Sequence, residues 1–214
     1  MPNKNHPGLF FAFDGIDGCG KSTQLALAAK RLIAEGRNVL TTREPGGTVI
    51  AETIRSVILS TAHAEMVPEC ELLLYAAARA QHVREKIAPA LEAGAIVLCD
   101  RFDLATYAYQ GFGRNISLLL LETINVSATG GCRPDCTFLF DIPVELAFSR
   151  MAAMKKSRDR LESADREFFE RVAQGYKTLA VRDPARVVVF DAAKSIEELA
   201  EMVYGKIMQL MAKA

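Results

Sequence analysis

The chain has no net charge to steer it toward a polyanion, since its 26 lysines and arginines are matched by 26 aspartates and glutamates. Nonspecific nucleic-acid or membrane-surface binding is therefore not expected, and any anion site must be local. No apolar run approaches the ~18 residues of a membrane span, and the polar opening MPNKNHPG lacks an apolar stretch of signal-peptide length. A cytoplasmic protein is expected. Five cysteines, at 19, 70, 99, 132 and 136, are an odd number and fit reduced thiols better than a disulfide framework. Cys132 and Cys136 form one C-x3-C pair with no second pair and no nearby histidine, too few ligands for a structural zinc site. Internal repeats and low-complexity linkers are also missing, so one domain over residues 1–214 is expected.

What is present is an alternation of short apolar segments, bounded by turn residues, with longer helical stretches. This pattern predicts an α/β fold with a parallel sheet flanked by helices. Strands are expected at 9–14, 38–42, 95–100, 136–141 and 186–191, and helices at 21–35, 66–93, 115–128, 143–154, 163–181 and 195–212. Gly36 and Gly94 read as helix stops. Four of the five strands finish at an aspartate. Acidic side chains should therefore gather at the carboxyl edge of the sheet, where open α/β folds bind ligands. Ser149 to Arg160, SRMAAMKKSRDR, carries five basic residues against one acid and little to bury, and reads as an exposed loop.

Gly15, Gly20, Lys21 and Ser22 satisfy G-x-x-x-x-G-K-[ST], between an apolar strand and a helix-forming run. Each residue type has a physical task. Glycines let backbone N–H groups point at phosphates, the helix N-terminus favours anions, Lys21 reaches the terminal phosphates and Ser22 can ligate Mg2+. The spacing of Gly15, Gly18 and Gly20 excludes the dinucleotide fingerprint.

Away from this loop, CDRF ends the third strand and brings Asp100 and Arg101 to the same edge. An aspartate there suits a hydrated Mg2+ and an arginine suits a phosphate, although a strand-end salt bridge fits the pair equally well. Thr106, Tyr109 and Gln110 stand at i, i+3 and i+4 on one face of a short helix. Tyr75 and Arg79 stand at i and i+4, setting an aromatic plane beside a fork of donors. A planar base could sit there, although periodicity alone favours Tyr75 as core and Arg79 as a surface residue.

The set FDGIDGCGKSTQ, TREPGGT, YAAARAQH, CDRFDLATYAYQG, GCRPDCTFLFDIP and RDRLE resembles the bacterial thymidylate kinase family, in order and over essentially the whole chain. The resemblance implies a three-layer P-loop NTPase fold with a five-stranded parallel sheet and a short basic lid at about 149–162. It implies transfer of the γ-phosphoryl of ATP to dTMP, with Mg2+, by a homodimer. Residues 15–23, including Gly18, Cys19, Gly20 and Thr23, would hold ATP. Asp17 would contact the acceptor's 3′-hydroxyl, Tyr75 would stack on thymine, and Arg79 would donate to thymine O4. Arg101 would hold the acceptor phosphate. Thr106 and Gln110 would contact the base, and Tyr109 would crowd the sugar 2′ position. Arg43, Glu44, Pro45 and Arg55 would close over the acceptor, and Ser22 and Asp100 would serve the metal.

Two departures stand out. The stacking position, usually Phe, is Tyr75, and Lys155 and Lys156 occupy lid positions where relatives carry arginine. Some members also place an arginine at the position of Gly18. Its lack shifts that duty to the lid, where Arg150, Lys155, Lys156, Arg158 and Arg160 are at hand; Lys155 and Arg158 are the expected catalytic cations. A kinase for another nucleotide or a deoxynucleoside would share the loop and the arginine. A P-loop switch or ATPase subunit would also share the loop, but neither an LSGGQ-like nor an NKxD-like motif accompanies it.

Overall fold

The computed structural model describes residues 6–153, 159–162 and 164–213. Five strands, β1 (Leu9–Asp14), β2 (Val39–Arg43), β3 (Ile96–Asp100), β4 (Cys136–Asp141) and β5 (Val187–Asp191), form one parallel sheet in the order β2-β3-β1-β4-β5. Each lies within one residue of its sequence expectation. β1, β3 and β4 are buried on both faces and almost wholly apolar, and such runs are easy to see in a sequence, whereas β2 and β5 are partly exposed.

β1 lies at the centre and shows why. Its period-2 alternation sends Phe11 and Phe13 into one core with Phe138, Phe140 and Phe190, and Phe10 and Ala12 into a second core with Val97, Cys99 and Phe102. Phe138 is fully buried, stacked on Phe11 at 5.6 Å and edge-on to Phe13 at 5.3 Å. Register matters more than packing for the site. Phe13 pairs with Asp100, and Asp100 pairs with Arg43 on the other side, so the loops leaving β1, β2 and β3 emerge side by side.

The helices are α1 (Lys21–Ala34), α2 (Val49–Leu59), α3 (Pro68–His82), α4 (Ala88–Glu92), α5 (Asp103–Thr106), α6 (Leu118–Thr129), α7 (Val144–Ala153), α8 (Arg166–Arg182) and α9 (Ile196–Met211). Caps account for several starts. The Thr48 side chain accepts from the Ala51 amide, Asp165 from the Phe168 amide, and Ser195 with Glu198 forms a capping box.

Three expectations change. The single helix at 66–93 starts at Pro68, a residue suited to a first turn. It is interrupted at Val83–Ile87 by a π-helical turn with an Ala88 N–H to Val83 carbonyl bond. A second π-helical stretch, Tyr107–Gly113, continues α5. The segment from Ser149 is not an exposed loop throughout. α7 runs to Ala153, and Arg160 is tied down by hydrogen bonds to Ile58 and Glu71; residues 154–158, with Lys155, Lys156 and Arg158, lie outside the described residues.

Truncation of Phe138 to alanine should lower the unfolding free energy by about 3–5 kcal/mol, as for other large aromatic deletions in a packed core. Urea denaturation of the ligand-free protein measures it.

Candidate active site

The turn from β1 into α1 holds the G-x-x-x-x-G-K-[ST] residues. Cys19 is buried beneath it, and Lys21 opens α1. Gly18 has φ of 82°, and a Cβ there would lie 2.5 Å from the Ala147 carbonyl oxygen. Only glycine allows this approach, so the loop rests directly on the backbone of α7.

Lys21 is nearly buried, its Nζ 3.5 Å from Asp17 Oδ1 and 3.8 Å from Asp100 Oδ1. Burial and Arg101 disfavour its charge, yet Asp100 and Asp17 outweigh them and its pKa is raised. The Ser22 hydroxyl donates a short hydrogen bond to Asp100 Oδ2. A hydroxyl next to a carboxylate suits Mg2+, which takes one or two protein oxygens and completes its shell with water and phosphate. The donor set therefore fits the expected metal.

Arg101 links the loop to the rest of the cleft. Its Nη1 donates to the Gly15 carbonyl (2.9 Å) and Tyr176 hydroxyl (3.2 Å), its Nη2 to Asp17 Oδ1 (2.7 Å) and the Tyr109 hydroxyl (3.1 Å). The backbone is left-handed, φ 70°, a conformation costly for arginine that persists where surrounding contacts enforce it. Cys99 supports the turn by donating its thiol to the Arg101 carbonyl at 3.0 Å. For Asp17, burial favours the protonated form, but Arg101, Lys21 and the Tyr109 hydroxyl prevail and hold its pKa well below the usual carboxylate range.

The opposite wall comes from α3. Glu71, Tyr75, Arg79 and His82 recur at i, i+4, i+8 and i+11, a stripe on one helix face. Tyr75 is half-buried against the core, and Arg79 is only 2% exposed. Arg79 Nε donates to Glu44 Oε2 (2.7 Å), Nη1 to Thr106 Oγ1 (2.8 Å) and Asn125 Oδ1 (2.6 Å), and Nη2 to the Phe102 carbonyl (3.1 Å). Glu71, fully buried, accepts from Gln110, Arg114 and Arg160. Burial pushes its pKa up, these donors push it down, and the donors prevail.

These residues bound one cleft of about 360 Å³. Of the residues expected from sequence, Asp17, Gly18, Gly20, Lys21, Ser22, Thr23, Arg43, Pro45, Arg55, Tyr75, Arg79, Asp100, Arg101, Thr106, Tyr109 and Gln110 all line it. Gly15 and Cys19 lie beneath the surface it presents. Arg43 is paired with Glu52 at 2.9 Å, and Arg55 donates to the Pro45 carbonyl at 2.8 Å. The sequence pattern did not single out Glu71, His82, Asn125 or Tyr176 as supports of this cleft. A polar residue on an apolar helix face was the available signal for the first two.

Strand order, phosphate loop and cleft define a P-loop nucleotide kinase. The thymidylate kinase family model matches residues 13–203. A thymidylate kinase of Geobacter sulfurreducens is 50% identical over 201 residues, covering 92% of this chain and 94% of its own. One from Trichlorobacter lovleyi is 46% identical over 209 residues (95% and 99%), and one from an Exiguobacterium species 50% over 190 (89% of each). The chain belongs to the thymidylate kinase family.

Asp14, at the end of β1, accepts from the Tyr176 hydroxyl at 3.0 Å on Oδ1, while Oδ2 is buried without a partner among the described residues. Burial raises its pKa to about 7 against the opposing pull of Arg101 and Tyr176. The folded state thus keeps a proton that the unfolded chain releases near pH ~4, so Asp14 costs stability progressively as pH rises from about 4 to about 7. The stability of Asp14→Asn relative to wild type should therefore improve across that interval and level off above it. Thermal denaturation of metal- and nucleotide-free protein against pH checks the slope.

Proposed function

We propose that this chain catalyses phosphoryl transfer from ATP to dTMP, giving dTDP and ADP. The observation that carries this is one cleft in which the phosphate-loop Lys21 and the strand-end Arg101 stand next to the Tyr75 and Arg79 wall. Family membership supports it.

The residues 15–23 cradle the ATP phosphates, with Lys21 at the terminal ones. Arg101 takes the acceptor phosphate, already oriented by Asp17, Tyr109, Tyr176 and the Gly15 carbonyl. Asp17 faces the acceptor sugar, and Tyr109 is placed by its own bond to Asp17 Oδ2 (3.2 Å) to crowd the 2′ position. Tyr75 stacks on the base, with Arg79, Thr106 and Gln110 around it. Arg43, Pro45 and Arg55 cover the acceptor.

The acceptor oxygen is already ionised at neutral pH, so no strong base is required. What must be overcome is repulsion between two polyanions. Lys21, Arg101 and cations of the 149–162 lid, Lys155 and Arg158 among them, converge on the charge that develops. Mg2+, held at Ser22 and Asp100 with the phosphates, supplies further charge neutralisation when bound. Closure of the lid excludes water and suppresses hydrolysis of ATP.

This assignment carries a single domain over 1–214, a cytoplasmic setting and a homodimer. Among the described residues no helix is long and apolar enough to cross a membrane. The dimer is supported by exposed Val49 and Ile50 on α2, Leu73 on α3 and Leu119 and Val126 on α6, where α2 packs on α3 and α3 on α6.

A panel of nucleoside monophosphates with ATP and Mg2+, scored by ADP release, should give dTMP as the preferred acceptor. Lys21→Ala should lower turnover by about 10²–10³-fold or more with the dTMP dissociation constant nearly unchanged. A variant with near-normal turnover, or ADP release independent of acceptor, would overturn the assignment.

A further inference from the structure

His82 itself does not line the cleft, yet it is hydrogen-bonded on both ring nitrogens. His82 is fully buried. Its Nδ1 lies 3.1 Å from Glu44 Oε1 and its Nε2 2.7 Å from Thr42 Oγ1. A carboxylate can only accept, which puts the ring proton on Nδ1 and leaves Nε2 to accept from the Thr42 hydroxyl. The second oxygen of Glu44 accepts from Arg79 Nε at 2.7 Å. A continuous chain therefore runs from Thr42 on β2 through His82 and Glu44 to the guanidinium of Arg79.

A guanidinium has five N–H donors. Four are engaged within the described residues: Nε with Glu44, both of Nη1 with Thr106 and Asn125, and one of Nη2 with Phe102. One N–H on Nη2 remains, on a side chain that lines the cleft. Which direction that last donor takes is set by the other four bonds, and the bond to Glu44 is the only one of them made to a charged partner. Hydrogen bonds to charged groups are the strong ones, and in a buried site they fix orientation most firmly.

The TREPGGT segment has a matching geometry. Thr42 and Glu44 flank the outward-pointing Arg43 and both turn toward His82. Gly47 completes the enclosure: a Cβ there would lie 2.6 Å from His82 Nε2 and 2.7 Å from Thr42 Oγ1. The loop thus closes on the imidazole with no room for a side chain.

We propose that His82 and Glu44 are positioning residues for base discrimination: they lock Arg79 so that its one remaining N–H presents a single donor to a carbonyl on the acceptor base. A base with an amino group at that place would set donor against donor in a buried site, a mismatch with no compensating bond. This rests on the dTMP assignment above. It adds that specificity is held by Glu44 at the cleft wall and His82 behind it, in addition to Arg79 itself.

The test compares dissociation constants of dTMP and dCMP by calorimetry, with the ATP KM as control. His82→Phe keeps the ring volume and removes both hydrogen bonds; Glu44→Gln keeps the shape and removes the charge. Each should weaken dTMP about tenfold or more while leaving dCMP nearly unchanged, so the ratio between them collapses by the same factor. The ATP KM should stay within about twofold. His82→Asn, whose amide puts an N–H where Nδ1 stands, should retain more of the ratio than His82→Phe. If His82→Phe does not fold, Thr42→Val and His82→Asn carry the comparison. Equal weakening of both nucleotides, or a dTMP preference untouched in every variant, overturns the proposal. A wild-type protein that prefers another base overturns the dTMP assignment instead.

Discussion

The guanidinium of Arg101 is the contact on which the rest of the site depends. Its four hydrogen bonds reach the phosphate loop twice, the π-helical stretch after β3 once, and α8 once. Segments up to 86 residues apart along the chain are held in one register by a single charged group. The arrangement is feasible because β1 and β3 are neighbours, so the turn leaving one strand lies over the turn leaving the other. The left-handed backbone at Arg101 is the local cost of aiming this side chain back across the sheet edge.

A second buried guanidinium, Arg79, organises the opposite wall in the same manner. The two arginines differ in what they leave free. Arg101 sits amid hydroxyls and a partly exposed carboxylate, Asp17, whose side chain is 23% exposed, partners that water can reach. Arg79 is bound to a carboxylate that is itself only 4% exposed and tied to a histidine. One set of partners is open to solvent and the other is shut away from it. That contrast follows from desolvation: a charge pair shut away from water is expensive to break.

Much of this was legible in the sequence, for identifiable reasons. The central strands β1, β3 and β4 were placed within a residue because a doubly covered strand has no polar face to obscure it, and the partly exposed β2 and β5 because turn residues bound their apolar runs. The phosphate loop carries its own spacing, and the i, i+4 rule put Tyr75 with Arg79 and Thr106 with Gln110. What could not be read was the choice of partners across the fold. Glu71 and Arg160 are 89 residues apart, and nothing in SRMAAMKKSRDR distinguishes the arginine that anchors to a buried carboxylate from those around it. The π-helical turns were equally hidden, since one extra residue per turn leaves the apolar pattern almost intact. Tyr176 reads as one more apolar residue of α8 until the fold brings Asp14 and Arg101 to its hydroxyl.

The contact between Gly18 and the Ala147 carbonyl limits what the phosphate loop itself can become. The space that a side chain would need at this position is filled by helix backbone. Introducing an arginine by one substitution would strike α7 before it could reach a phosphate, so the change would be rejected for its shape whatever its charge offered. A cation placed in the loop therefore takes a compound change: α7 must first be displaced, and only then does the side chain become neutral or useful. While α7 rests on the loop, position 18 is held to glycine by sterics and not by charge.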